Sequence, residues 1–234
     1  MIKILTIIPA RSGSKGIKNK NIKDFKGKPL LAYSIEQAKR SKYFSHMRII
    51  VSTDSEKYAL IAKNYGAEVP FLRPSNLSQD LSVDQDFIEY TLNNLKNYNA
   101  DIILQLRPTH PCRKVEDIDK CLDIFIENRN KYDSLRAISP MEKSPFKMYT
   151  IDIKNNKLNP LFKEINGIKE PYNQCRQVLP QAYLHSGYID IINTSILKNG
   201  TISGENVYPY LVNDEDIVDI DTEKDWKKAV ELFS

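Results

Sequence analysis

Between Ile2 and Ser139 the chain alternates short β-branched runs with longer stretches whose apolar residues recur at helical spacing. That alternation restricts it to βαβ units around a mostly parallel sheet, an α/β fold. Ile2 to Ile8 reads as a buried strand, Leu30 to Arg40 as a helix with Leu31, Ile35 and Ala38 on one face, and Met47 to Ser52 as a second strand. A helix from Glu56 to Tyr65 follows, closed by Gly66. Val83 to Tyr98 reads as helical, Asp101 to Leu106 as a strand, Val115 to Asn128 as a helix and Asp133 to Ser139 as a strand.

Beyond Ser139 the rhythm breaks. Asn, Pro and Gly punctuate short extended pieces such as Lys147 to Ile153, which describes a β-rich excursion rather than a second domain. Sheet-like runs resume at Gly187 to Ile192 and Val207 to Val212. Thr222 to Phe233 is an amphipathic closing helix with Trp226, Ala229 and Val230 inward, Thr222 as its N-cap and Asp225 completing a capping-box-like start. No internal repeat is visible, so the 234 residues are expected to form one large domain.

The 34 basic and 30 acidic residues are interleaved, with a formal net charge of +4 and no long basic block. This argues against nucleic acid as a partner. Lysines do gather at Lys15, Lys18, Lys20, Lys23, Lys26 and Lys28, and acids between Asp214 and Asp225, which suits an anion at one place and a cation at another. Ile4 to Ile8 is too short for a signal segment or a membrane span and ends at Pro9. Cys112, Cys121 and Cys175 lack the paired spacing of a zinc site or a disulfide framework, so a reducing cytoplasm is expected.

Pro9-Ala10-Arg11-Ser12-Gly13-Ser14-Lys15-Gly16 directly follows the first strand, at the carboxyl edge where open α/β sheets bind ligands. Small residues let backbone N–H groups approach an anion, while Arg11, Lys15 and Lys20 add charged donors. The spacing is neither that of a P-loop nor that of a dinucleotide fingerprint. By itself the loop indicates phosphates, or a solvated basic turn, without naming a nucleotide.

Several strings together carry a resemblance. Ile8-Pro9-Ala10-Arg11-Ser12-Gly13-Ser14-Lys15-Gly16, Lys20-Asn21-Ile22, Gly27-Lys28-Pro29-Leu30, Val51-Ser52-Thr53-Asp54 and Tyr65-Gly66-Ala67-Glu68-Val69-Pro70-Phe71-Leu72-Arg73-Pro74 occur in order. Arg107-Pro108-Thr109, Arg176-Gln177-Val178-Leu179-Pro180-Gln181-Ala182-Tyr183 and Asp219-Ile220-Asp221-Thr222 follow. Over nearly the whole chain the sequence resembles the acylneuraminate cytidylyltransferases, the CMP-sialic acid synthetases. The resemblance implies a Rossmann-like nucleotidyltransferase fold, CTP as donor, an acidic sugar as acceptor, Mg²⁺ as cofactor and a homodimer, with residues 140–185 as an extended dimerisation arm. It further implies that Ala10, Arg11, Ser12, Gly13, Lys15, Lys20, Asn21, Arg73, Asp80 and Ser82 surround the nucleotide, although Asp80 and Ser82 equally suit a polar N-cap for the helix at Val83. Arg107, Thr109, Arg176, Gln177, Tyr183 and His185 would face the acceptor.

Asp219 and Asp221 are separated by one residue of an extended run, so both side chains point to one face. A lone pair of this kind also suits solvated carboxylates at a helix start. Matched to the family's metal-binding pair, Asp219 and Asp221 are expected to hold Mg²⁺ against nucleotide phosphates. Arg11, Lys15 and Asp221 are the residues expected to take part in the transfer itself, in which an anomeric hydroxyl attacks the α-phosphorus and pyrophosphate leaves.

Two departures bear on the acceptor. The family's Gln-Pro-Thr-Ser-Pro is Arg107-Pro108-Thr109-His110-Pro111 here, and its Arg-Pro-Asn-Gly is Leu184-His185-Ser186-Gly187. One guanidinium is lost and another gained, so Arg107 is a candidate receptor for the acceptor carboxylate. Sialic, legionaminic and pseudaminic acids are the expected acceptors. A deoxy-octulosonate or a phosphonate is the nearer alternative, and a noncatalytic nucleotide-binding regulator the more distant one. Histidine is the side chain suited to acid–base work near neutral pH, which draws attention to His110 and His185 beside the candidate site and less to His46, but a lone loop histidine is usually a simple hydrogen-bonding group.

Overall fold

The computed structural model describes residues 2–213 and 217–233. Asp214 of the acidic run, with Glu215 and Asp216, lies outside the described residues. Six strands form the central sheet: β1 (Ile4–Pro9), β2 (Met47–Ser52), β3 (Ile102–Gln105), β4 (Ser134–Pro140), β7 (Tyr183–Asn193) and β8 (Val207–Leu211). Their order is β8-β4-β7-β3-β1-β2, and β7 runs antiparallel to both neighbours while the other pairings are parallel. The Rossmann-like, mostly parallel sheet is therefore present. Two further strands, β5 (Tyr149–Asp152) and β6 (Lys157–Pro160), pair as a hairpin outside it.

Strand alternation divides the core. Ile4 and Ile8 of β1 pack with Leu31, Ile35 and Ala38 of α1 (Leu30–Arg40), Tyr58 and Ala62 of α2 (Glu56–Asn64), and Ile118, Leu122 and Phe125 of α4 (Val115–Asn128). Leu5 and Ile7 face the other way, onto Phe87 and Ile88 of α3 (Asp84–Asn94). Both faces of β1 are thus buried, which is why the strand reads as a continuous apolar run. α3 is shorter than its sequence reading of Val83 to Tyr98: it ends before Asn97, whose backbone is left-handed at φ 63°. β7 is longer, beginning at Tyr183 because Tyr183, Leu184 and His185 already pair with β4.

A third cluster ties the chain end to the loop after β1. Trp226 and Ala229 of α5 (Glu223–Leu232) pack with Phe25, Tyr33, Val218 and Ile220. Thr222 caps α5, and Asp225 closes the reciprocal capping box anticipated from the sequence. Residues 217–221 lie outside any ladder, fastened where the Ile220 N–H donates to the Thr109 carbonyl at 3.0 Å. Buried Val218 and Ile220 alternate with exposed Asp219 and Asp221, so both carboxylates share one side.

Between β4 and β7 the chain leaves the sheet. After the β5–β6 hairpin comes a smaller one, Glu164–Ile165 against Ile168–Lys169, turned by Asn166 (φ 50°) and Gly167 (φ 78°). Ile151, Ile153, Leu158 and Leu161 of this excursion are exposed. Among the described residues, no helix is long and apolar enough to cross a membrane.

Candidate active site

The carboxyl ends of β1 and β3 open into a cleft of about 450 Å³. Arg11, Lys15, Gly16, Lys20 and Asn21 line it from the loop after β1, Arg73, Asp80, Ser82 and Asp84 from the segment leading into α3, Arg107 and Thr109 from the end of β3, and Asp221 from the strap before α5. Loops meeting at strand ends around a change in sheet direction form the ligand site expected of an open α/β sheet.

The first loop is held by bonds of its own. Asp54, after β2, accepts from the Ser12 N–H and hydroxyl, both at 2.8 Å. The Asn21 side chain, itself buried, donates to the Arg11 carbonyl at 3.0 Å, and the Ala10 N–H donates to the Ser52 carbonyl at 2.9 Å. Ala10, Ser12 and Asn21 therefore shape the loop that presents Arg11 and Lys15. Gly13 has open space around it, whereas a Cβ on Gly16 would lie 2.1 Å from the Asp221 carbonyl oxygen. Only glycine allows the loop and the strap to touch.

Charge is laid across the cleft in pairs. Asp80 accepts from Arg11 at 3.0 Å and pairs with Lys15, and these two cations hold its carboxyl below the usual range. Lys20 donates to Asp221 at 2.8 Å and to the Ile220 carbonyl at 2.6 Å. Arg73 is buried, stacked 4.4 Å above the Phe87 ring and bonded to the Ser52 hydroxyl and carbonyl; burial pushes it down to about 10, which leaves it charged at neutral pH. Ser82 turns inward to its own loop, accepting from the Gln79 N–H and donating to the Asn76 carbonyl.

Asp219 lies beside Asp221, outside the cleft lining and 3.8 Å from His110 Nε2. Partial desolvation raises its carboxyl above the usual range; the Thr109 hydroxyl acts the other way, and the neighbouring charge of Asp221 adds to the rise. Two carboxylates in mutual repulsion, one already on the cleft wall, fit a hard divalent cation that takes its remaining oxygens from phosphates and water. Among the described residues no third acidic, His or Cys ligand joins them.

The acceptor residues named from the sequence divide. Arg107 and Thr109 are in the cleft, and the Thr109 hydroxyl is buried beside the Asp219 carboxylate. Arg176 instead lines a separate depression with Glu142 and Met148; Gln177 is exposed on the same short turn, and Tyr183 pairs with Pro140 at the far end of β7. Within one chain these three do not reach the cleft, because the excursion carries them away from the strand ends. His185 Nε2 donates to Asp190 at 2.7 Å rather than lining the cleft. His110 is buried, contacts the Ser186 carbonyl at 3.1 Å, and is held well below its usual range by burial and by Arg113 and Arg107; it stays neutral and out of the cleft.

Asp54, Asp84, Arg113 and Asp190 shape this site but do not stand out as ligands in the sequence. Arg113 is buried and bonds the Tyr188 and Arg107 carbonyls, the Ser34 hydroxyl and the Gln37 amide, fixing the turn that follows Arg107. Asp190 did leave a signal, a charge inside the apolar run Tyr188-Ile189-Asp190-Ile191-Ile192.

A cytidylyltransferase family model matches residues 5–183. Post-translational flagellin modification protein B of Campylobacter coli is 33% identical over 231 residues, covering 97% of this chain and 93% of that protein. CMP-N,N'-diacetyllegionaminic acid synthase of Legionella pneumophila is 34% identical over 240 residues, covering 99% and 97%. Among solved structures, a CMP:2-keto-3-deoxy-manno-octonic acid synthetase complexed with CTP shares the fold with a TM-score of 0.71, over 99% of this chain and 98% of that one, at 17% identity.

Proposed function

The chain belongs to the cytidylyltransferase family, and from that membership and its cleft we propose that it transfers CMP from CTP to the anomeric hydroxyl of an acidic nonulosonate sugar. The hydroxyl oxygen forms a bond to the α-phosphorus, the bond to the β-phosphate oxygen breaks, pyrophosphate leaves and the hydroxyl proton is lost. One observation carries the reading: three cations, Arg11, Lys15 and Lys20, line the same 450 Å³ cleft as the carboxylate of Asp221. A polyphosphate and a divalent cation need that combination of charges at short range.

In this reading Arg11, Lys15 and Lys20 hold the triphosphate and stabilise charge on the departing pyrophosphate. Asp80 gives up Arg11 and Lys15 as the nucleotide enters. Asn21, Ser12 and Ala10 keep the loop in place, Gly13 leaves room for close approach, and Arg73 and Ser82 flank the nucleotide. Asp219 and Asp221 hold Mg²⁺, which when bound supplies charge neutralisation for the phosphates. Arg107 and Thr109 face the acceptor with His185 behind Arg107. The exposed apolar excursion supports a homodimer in which it carries Arg176, Gln177 and Tyr183 towards the partner's cleft. Three free cysteines support a reducing, cytoplasmic setting.

Incubation with CTP, Mg²⁺ and a panel of acidic sugars, followed by pyrophosphate release, tests the proposal. One nonulosonate is expected to drive release, and Asp221→Asn to slow it by about 100-fold or more with CTP affinity less affected. Release driven by a phosphonate or a deoxy-octulosonate instead would replace the acceptor. CTP binding without any turnover would make the chain a regulator.

A further inference from the structure

Arg107 sits in a seat built from several independent features. Nη1 donates to Asp190 at 2.6 Å and to the Gly187 carbonyl at 3.2 Å, while Nη2 donates to Asp84 at 2.6 Å. Asp190 is 0% exposed, and its second carboxylate oxygen is shared by Arg136 at 3.2 Å and His185 at 2.7 Å. Burial alone would raise this carboxyl, but His185, Arg136 and Arg107 outweigh it and hold the group ionised. The register of β7 against β4 slips between His185 and Asp190, a bulge that bends the strand at this point. Gly187 within the bulge has φ +68°, and a Cβ there would lie 2.7 Å from Arg107 Nη1. Bulge, glycine and buried carboxylate all serve to seat one guanidinium.

The two arms of that guanidinium are held unequally. Asp190 is fully buried and cannot be exchanged for a ligand, whereas Asp84 is 31% exposed and lines the cleft. Asp84 also accepts from Gln105 at 2.8 Å, so it keeps a partner when it releases Arg107. An arginine fork binds carboxylates in a fixed plane, and the orientation of one arm sets that of the other.

We propose that Asp190 is a positioning residue for acceptor recognition: it anchors one arm of Arg107, so that the other arm, now covered by Asp84, receives the carboxylate of the acid acceptor by exchange. The acceptor half of this statement rests on the proposed function; the anchoring half does not. Asp190 touches no substrate and acts through Arg107.

The experiment has two parts. In ¹⁵N-resolved spectra of the full chain, the Arg107 Nη signals, assigned by their loss in Arg107→Gln, are expected to be resolved. They should average together in Asp190→Asn. In Asp84→Asn, a variant at a partly exposed site, the Nη1 signals should stay resolved. Averaging in Asp84→Asn, or persistence in a folded Asp190→Asn, would overturn the anchor, and the Asp84 arm decides the matter even if Asp190→Asn does not fold. Next, the acid that drives pyrophosphate release is compared with its methyl ester. The acid should be preferred at least tenfold in kcat/KM, the preference should vanish in Arg107→Gln, and Asp190→Asn should cause no further loss in the Arg107→Gln background. Multiplying losses in the double variant would mean that Asp190 acts independently of Arg107 and would sink the proposal. A panel with no active acid would end the proposed function while the spectra still decide the anchor.

Discussion

At Gly16 a single hydrogen decides whether two parts of the site can meet. The 2.1 Å between a built Cβ and the Asp221 carbonyl oxygen cannot be absorbed by a side-chain rotation, since both partners are backbone. Gly16→Ala is expected to fold, with the basic loop displaced from the strap. Displacement of about 1 Å at a reacting centre lowers turnover by about 100-fold. Steady-state kinetics with CTP check this, and a near-native kcat would mean that loop and strap need not touch. Legibility varied at this scale. Arg11, Lys15, Lys20 and Asp221 could be picked out because several strings resembling one family occur together and in order, while the loop or the D-x-D pair alone equally suits a solvated turn. Asp54 and Asp84 could not, because each also reads as the polar residue that opens a helix, and their partners lie 42 and 23 residues away in sequence.

Helix boundaries were readable where a cap or a strong apolar period marked them: α4 spans Val115–Asn128 as its period indicates, although Lys114 makes no side-chain cap bond. Thr222 and Asp225 form the capping box that starts α5, and this start fixes the strap bearing Asp219 and Asp221. Thr222→Ala removes an N-cap worth about 1 kcal/mol. For a chain of this size that lowers the melting temperature by roughly 2–4 °C, measurable by calorimetry; an unchanged melting temperature would show that the aromatic packing around Trp226 alone holds α5. α3 lacks such a signal at either end: its N-cap is Val83, without a side-chain bond, and the start anticipated at Val83 falls instead at Asp84. β7 is the counterpart among the strands. Its bulge between His185 and Asp190 breaks the period on which strand recognition depends, so the stretch from Tyr183 to Ser186 does not read as sheet.

For the whole molecule, the excursion between β4 and β7 leaves apolar side chains exposed within one chain. Ile151 is 68% and Ile153 88% exposed, next to Leu158 and Leu161. Apolar residues grouped in this way mark an association surface. Replacing Ile151 and Leu158 by Asp is expected to move the sedimenting species from two chains to one, with the far-ultraviolet dichroism unchanged; a wild-type chain that sediments as a monomer would remove the arm's proposed role. The sequence by itself determined the α/β class, the order of the main elements, the basic loop and the paired aspartates, because periodicity, caps and local charge act over a few residues. Only the tertiary structure decided that Gly16 must clear Asp221, that Asp80 and Asp84 cover the cations of the cleft, and that Arg107 is seated on Asp190. These contacts join residues of separate loops that meet at the strand ends, with Asp190 supplied by β7, and no local property of the chain encodes a distance between those loops.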